Sequence, residues 1–242
     1  MNITLPLLKS VTGRVLVESH RGAEHLAPEN SWHGLDIAQQ HGADLIEVDV
    51  QLSRDGVAFL RHNYALPDGR PCRDLAWSDL ATVTINCESL PPLEDVLVWA
   101  RDADARLSLD LKTGFIAEGK LAREVVRLLQ RTQTMDRAML LAWDHTEIAQ
   151  IKKTYPEITT RALIRARIVD LRGMLESVGA DFVSLSYDLI RPGDVEQAHA
   201  LGVAVALVEM WQPDFDFVTR SGADIVSWGD PAEARRRLGL QS

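Results

Sequence analysis

The sequence predicts an α/β fold, a (β/α)8 TIM barrel. Three observations point there. Apolar runs of strand length alternate along the chain with longer segments of helical period, the pattern of βα units around a parallel sheet. Eight runs of each kind can be marked out, and 242 residues approaches the roughly 250 usual for a closed barrel. An open doubly wound sheet is the alternative that the same alternation allows.

The strands are predicted over Val15 to Ser19, Leu45 to Val50, Arg106 to Leu111, Ala138 to Ala142, Thr160 to Ile164, Phe182 to Leu185, Val203 to Val208 and Asp224 to Trp228. The helices between them fall near Ser31 to His41, Leu93 to Asp102, Gly119 to Gln133, Asp144 to Tyr155, Val169 to Val178, Pro192 to Leu201, Asp214 to Arg220 and Pro231 to Leu238. Several open on Ser or Asp, whose side-chain oxygens can accept from free N–H groups of a first turn. Several stop before glycine, as at Gly42, Gly179, Gly202 and Gly222. One stretch breaks the rhythm. Residues 53–92 follow the second strand with turn signals at Asp55-Gly56, Pro67 to Gly69 and Pro91-Pro92, too long for a simple βα loop. They are predicted to form a loop-rich insertion over the barrel's C-terminal rim, with Val57 to Arg61 as a short extra strand leading to His62. Nothing divides the chain, so 1–242 is expected to be one domain.

A composition 46% hydrophobic and 25% charged is that of a globular chain, and a formal net charge of -9 argues against nucleic acid or an anionic membrane as a partner. A small anionic substrate remains compatible, because short-range field is set by the nearest charges. Cys72 and Cys87 lack metal-ligand spacing and are expected to be free thiols. The opening residues show no charged start followed by a long apolar run, and no window approaches a membrane helix; a cytoplasmic setting without stable membrane association is expected. Oligomeric state is left open, a homodimer included.

Active groups of a parallel barrel sit where strands end at its C-terminal face. The first predicted strand runs into His20-Arg21-Gly22, the second carries Glu47 and Asp49, and the third carries Asp110 and leads to Lys112. Glu47 and Asp49, two apart on a strand, share a face roughly 6.5 Å apart. Ile46, Val48 and Val50 take the other face, so the carboxylates are expected in the barrel mouth. They repel unless a cation lies between them, and Asp110 on the next strand offers a third oxygen. Three carboxylates without a sulfur ligand favour a hard divalent cation, Mg2+ or Ca2+. Rim salt bridges are the plainer alternative. His20 and His62 can exchange protons near neutral pH. The remaining histidines, among them His25 and His199, read as surface residues. Trp143, Trp211 and Trp228 follow predicted strand ends, where they could wall a pocket.

These residues resemble a known group, the glycerophosphodiester phosphodiesterase family. HRGAEHLAPENS from His20 is similar to its opening motif, LIEVDVQLSRDG from Leu45 to its carboxylate strand, LRHN to its second histidine, LPPLEDVL from Leu90 to a helix start, and SLDLK stands where Glu-x-Lys is usual. The resemblance implies a TIM-barrel enzyme cleaving glycerophosphodiesters to sn-glycerol 3-phosphate and an alcohol, in glycerol and lipid metabolism. By resemblance Glu47, Asp49 and Asp110 would bind the metal, His20 and His62 would be acid and base, and Arg21 and Lys112 would hold the phosphate, with Trp143 and Trp228 near the substrate. Four departures stand out: Asp110 for Glu, Asn63 where Asp usually follows the histidine, Leu207 to Met210 for Trp-Thr-x-Asn, and Trp228 to Pro231 for Thr-Asp-x-Pro. The run Asp110 to Gly114 also resembles the phospholipase D-type sphingomyelinase branch. A lysophospholipase D or sphingomyelinase D-like lipid phosphodiesterase is therefore an alternative, and a non-catalytic barrel binding a phosphorylated ligand is another.

Overall fold

In a computed structural model, described here for residues 12–191, 193–208 and 213–240, eight parallel strands close on themselves. They are β1 (Leu16–Ser19), β2 (Leu45–Leu52), β6 (Leu107–Leu111), β7 (Ala138–Ala142), β8 (Thr159–Ile164), β9 (Phe182–Ser186), β10 (Ala204–Val208) and β11 (Ile225–Trp228). Closure comes from β1, which pairs with β11 on one side and β2 on the other. The predicted strands all form, within two residues at either end, and the open-sheet alternative is overturned by the β1 to β11 pairing.

Helices follow the strands: α1 (Trp32–Gln40), α3 (Leu93–Asp102), α4 (Lys120–Thr132), α5 (His145–Thr154), α6 (Leu171–Val178), α7 (Asp194–His199), α8 (Phe215–Ser221) and α9 (Pro231–Arg237). The sequence signals act as expected. Ser31, Asp144, Asp170, Asp214 and Asp230 each cap a helix by accepting from a first-turn N–H. In α4, Leu121, Ala122, Val125, Val126, Leu128 and Leu129 are buried, which is the inward stripe its period foretells. The proposed start of the sixth helix at Pro192, and Met210 and Trp211, lie outside the described residues.

The insertion is more ordered than a loop-rich reading suggests. β3 (Ala58–Leu60) pairs antiparallel with the end of β2, and it is followed by a 3-10 turn (Cys72–Asp74), α2 (Trp77–Leu80) and a small hairpin of β4 (Thr84–Ile85) and β5 (Glu88–Ser89). Phe59, Leu66, Cys72, Leu80 and Leu90 give it a core of its own. Burial of these side chains offsets the entropy of ordering such a long connection. Cys72 is buried and Cys87 exposed, both free.

Two clusters pack helices against the outside of the barrel, and the strand alternation sends every second side chain inward. The inner floor is apolar: Leu16, Leu45, Met139, Phe182, Ala204 and Ile225. Above it the interior turns polar. Glu18 and Arg161, 0% and 1% exposed, form a bidentate pair at 2.8 and 2.9 Å, and Ser108 donates to Glu18 at 2.6 Å. Burial would raise the Glu18 carboxyl, yet Arg161 and the hydroxyl hold it below the usual range. A pair this deep matters chiefly when broken, since removing one partner strands a charge in low dielectric. Arg161→Ala should therefore lower unfolding stability by about 3–5 kcal/mol. Urea melts followed by tryptophan fluorescence check this, and a loss below about 1 kcal/mol, the scale of an exposed pair, would contradict it.

Candidate active site

The C-terminal mouth of the barrel holds a cavity of about 380 Å³. All nine side chains singled out from the sequence as site residues line it: His20, Arg21, Glu47, Asp49, His62, Asp110, Lys112, Trp143 and Trp228.

The three carboxylates stand on adjacent strands in register, Asp49 opposite Asp110 and Glu47 opposite Ser108. One oxygen from each lies within 4.8 Å of the others, all three residues are buried, and the set can hold a metal ion. Asp110 Oδ1 is buried without a hydrogen-bond partner. Burial, then the nearby charges of Asp49 and Asp110, push the Glu47 carboxyl up to about 8, against the pull of His20. Burial also raises Asp110, against Lys112. In Asp49 burial is outweighed by Lys112, His62 and Arg21, which hold it low. Donors of this kind, all oxygen and with one atom unclaimed, fit a hard divalent cation.

Cations already brace the cluster. Lys112 Nζ lies 2.7 Å from Asp49 Oδ1 and 2.5 Å from Asp110 Oδ2. Burial alone would lower this ammonium, but the two carboxylates hold it well above the usual lysine range. The rim-salt-bridge alternative is thus partly realised, though it leaves Asp110 Oδ1 without a partner. Arg21 sits in the left-handed region, φ 50, so that its N–H donates to Glu47 Oε2 at 2.8 Å and Gly22 N–H donates to Glu47 O at 2.9 Å. At Gly22, φ 82, an added Cβ would meet Gly34 backbone at 3.1 Å, so the sharp turn needs glycine. The Arg21 guanidinium reaches Glu29 through Nη1 at 2.7 Å and faces Asp49 through Nε at 3.5 Å, the second an ion pair without a well-aligned hydrogen bond.

The two histidines are held differently. His20 Nδ1 is 2.5 Å from Glu24 Oε1, and its Nε2 faces Glu47 Oε2 at 3.9 Å. Burial would lower this imidazole, but the bond to Glu24 and the charges of Glu47 and Glu24 raise it to about 9, so it carries a proton at neutral pH. His62, by contrast, shares its Nδ1 with the carbonyl Oδ1 of Asn63 at 2.9 Å. That amide oxygen only accepts, so Nδ1 bears the hydrogen and Nε2 presents its lone pair in the neutral ring.

Several contributors escaped the sequence reading. Glu24 lies four residues after His20, a spacing that was legible. Asn30 accepts from Asp49 N–H at 2.9 Å and donates to Asp49 Oδ2 at 2.7 Å, yet within Pro-Glu-Asn only the motif was noted. Glu18 and Arg161 line the same cavity, each a lone charge inside an apolar strand. Of the histidines read as surface residues, His25 is exposed as expected, though it stacks edge-on against Trp228 with ring centres 4.6 Å apart. His145 and His199 need correction: both are half-buried, His145 Nε2 lying 2.8 Å from Leu163 O and His199 pairing at 2.8 Å with Asp224, which is wholly buried.

Known proteins share the family and the fold. The model of the glycerophosphoryl diester phosphodiesterase family matches residues 20–224. A glycerophosphodiester phosphodiesterase of Caldanaerobacter subterraneus subsp. tengcongensis is 23% identical over 234 residues, 90% of this chain and 95% of that one. An uncharacterized protein of Bacillus subtilis, YqiK, is 29% identical over 157 residues, 60% of this chain and 65% of its own length. Among solved structures, a phosphodiesterase of Oleispira antarctica in complex with the product sn-glycerol-3-phosphate superposes with a TM-score of 0.85 at 21% identity, covering 95% of this chain and 99% of that one. A glycerophosphodiester phosphodiesterase of Parabacteroides distasonis gives 0.84 at 21% identity, with 93% and 97% covered. The fold is that of these structures, and with its family model matched from the first histidine to the last barrel strand, the chain belongs to the glycerophosphoryl diester phosphodiesterase family.

Proposed function

We propose that this chain hydrolyses glycerophosphodiesters to sn-glycerol 3-phosphate and an alcohol, with one divalent cation, Mg2+ or Ca2+, held by Glu47, Asp49 and Asp110. The observation that carries the reading is the convergence of two imidazoles, an arginine and a lysine on a buried carboxylate triad in one cavity. A barrel that only binds a phosphorylated ligand has little need of two imidazoles beside such a triad.

A phosphodiester resists water because its charge repels nucleophiles and its leaving alkoxide is strongly basic. Arg21 and Lys112, the second fixed between two carboxylates, both line the cavity and are placed to donate to the non-bridging oxygens, where charge builds up. A cation held by Glu47, Asp49 and Asp110 would supply further neutralisation of that charge and would make the attacking hydroxyl more acidic. His62 Nε2 takes the proton of the attacking hydroxyl, from water or the substrate's own neighbouring hydroxyl. His20, protonated and steadied by Glu24, gives its proton to the departing oxygen. His20 thus holds its proton before the leaving oxygen arrives, and the bond from His62 Nδ1 to Asn63 Oδ1 leaves Nε2 as the atom that can accept. A small soluble diester at this mouth fits a cytoplasmic enzyme of glycerol and lipid metabolism formed by residues 1–242.

A second substrate class is favoured by one feature. Among the described residues the exposed large hydrophobics are Leu26, Tyr64, Phe115, Trp143 and Val169, and each lies between a barrel strand and its next barrel helix, on the side of the mouth. Phe115 is 74% exposed and Trp143 44%. Such a rim suits a diester bearing an acyl chain, as in a lysophospholipid.

Removal of either imidazole should cost about 10²-fold or more in kcat for an alkyl diester. An aryl diester, whose leaving group needs no proton, should restore most of the rate to His20→Ala and little to His62→Ala; equal restoration in both would undo the assignment of acid and base. Chelation should abolish turnover, and Mg2+ or Ca2+ should restore it. Because Glu47 is held at about 8 in the metal-free site, cation binding at pH 7 should release close to one proton, read by calorimetry in buffers of different ionisation enthalpy. A release near zero would contradict a protonated Glu47 in the metal-free site, and an unchanged cation affinity in Glu47→Gln would contradict Glu47 as ligand. Finally, if the rim serves lipid substrates, kcat/KM should rise from glycerophosphocholine to lysophosphatidylcholine, and Phe115→Ser should reduce that gain; a flat series assigns the enzyme to water-soluble diesters.

A further inference from the structure

The alternation of β2 brings a third side chain to the face of Glu47 and Asp49, and the chemistry above gives it no role. Gln51 is 3% exposed. Its Nε2 lies 2.9 Å from the carbonyl oxygen of Arg61, 3.3 Å from that of His62 and 2.7 Å from that of Asn63. A carboxamide nitrogen carries two hydrogens, so three consecutive carbonyls converge on one donor.

The ladder between β2 and β3 ends at Leu60, and the chain then leaves regular structure at the point where His62 must be placed. The Arg61 N–H still donates to Asp49 O at 2.9 Å. From its other side the turn is closed by the buried guanidinium of Arg61, whose Nε and Nη2 donate to Ala65 O at 3.2 and 2.6 Å. A segment whose carbonyls and arginine are tied this way does not drift as an ordinary surface loop does. Its reference frame is the strand that bears two of the three carboxylates.

We infer that Gln51 is a positioning residue for His62: its carboxamide gathers the carbonyls of residues 61–63 and thereby sets where the imidazole Nε2 stands relative to Glu47, Asp49 and Asp110. The inference rests on His62 being the general base. Displacement of a reacting group by about 1 Å can cost about 10²-fold in rate, so holding the backbone beside the imidazole has the reach such a role requires.

The test is a double-mutant cycle between Gln51→Met and His62→Ala, with kcat, KM and the melting temperature of each metal-loaded protein. Methionine keeps the length and apolar bulk of glutamine and removes the donor; Gln51→Ala is carried beside it as a second variant. Gln51→Met should lose about 10- to 10²-fold in kcat with KM little changed, and in the His62→Ala background the same change should cost almost nothing. Equal losses in both backgrounds, a wild-type kcat in Gln51→Met, or unfolding of both Gln51 variants would each overturn the inference, since a structural role predicts them. Failure of the underlying reading is distinguishable, because it appears in His62→Ala alone, as retained turnover.

Discussion

Three buried carboxylates with oxygens within 4.8 Å of one another are the constraint to which the rest of the molecule answers. Like charges in a dry site cannot all stay ionised without compensation. The structure supplies compensation from every direction. Lys112 enters from β6, Arg21 from the end of β1, and His20 faces Glu47, while Asn30 grips Asp49 through both its backbone and its side chain. Even so the balance falls short, because Glu47 is pushed toward protonation and Asp110 keeps an unclaimed oxygen. A site under-compensated in this way has an affinity for one more positive charge built into it, and that affinity joins the fold to the chemistry.

The same logic explains the depth of the charged region. An apolar floor closes the barrel, and the Glu18 and Arg161 pair sits between that floor and the carboxylates. Being bidentate and nearly self-neutralising, the pair adds little net charge to the layer above it. It lets a barrel interior pass from hydrocarbon to a polar mouth without an abrupt, poorly solvated boundary. Deep ion pairs of this sort are weak sources of stability and strong sources of specificity in which side chains point inward.

Much of this was legible in the sequence because the signals were periodic. Strand and helix lengths, caps such as Ser31 and Asp144, and the inward pair of Glu47 and Asp49 all follow from spacing along one element. The less legible features depend on contacts between elements. No local pattern says that Arg161 will meet Glu18 across the barrel, or that Gln51 will reach the carbonyls after β3. The insertion and its short strand were legible, but its core was not, for a related reason: Phe59, Leu66, Cys72, Leu80 and Leu90 are too irregularly spaced to announce one, yet they meet once β3 folds back on β2. His199 is similar, an apparent surface residue until its buried partner Asp224 is known.

The two departures closest to the chemistry bear on how the histidines divide their work. His20 is tied to a carboxylate, Glu24, and His62 to an amide, Asn63. A carboxylate neighbour stabilises the imidazolium, whereas an amide oxygen orients the ring and fixes its tautomer without adding charge. Asn63 preserves the difference. Asp110, shorter than Glu by one methylene, acts in a comparable direction by drawing its carboxylate back toward β6, where Lys112 meets it. One carboxylate is withdrawn and the other replaced by its amide, so each departure reduces negative charge or its reach at the mouth, which favours an anionic diester over a second cation as the group that completes the site.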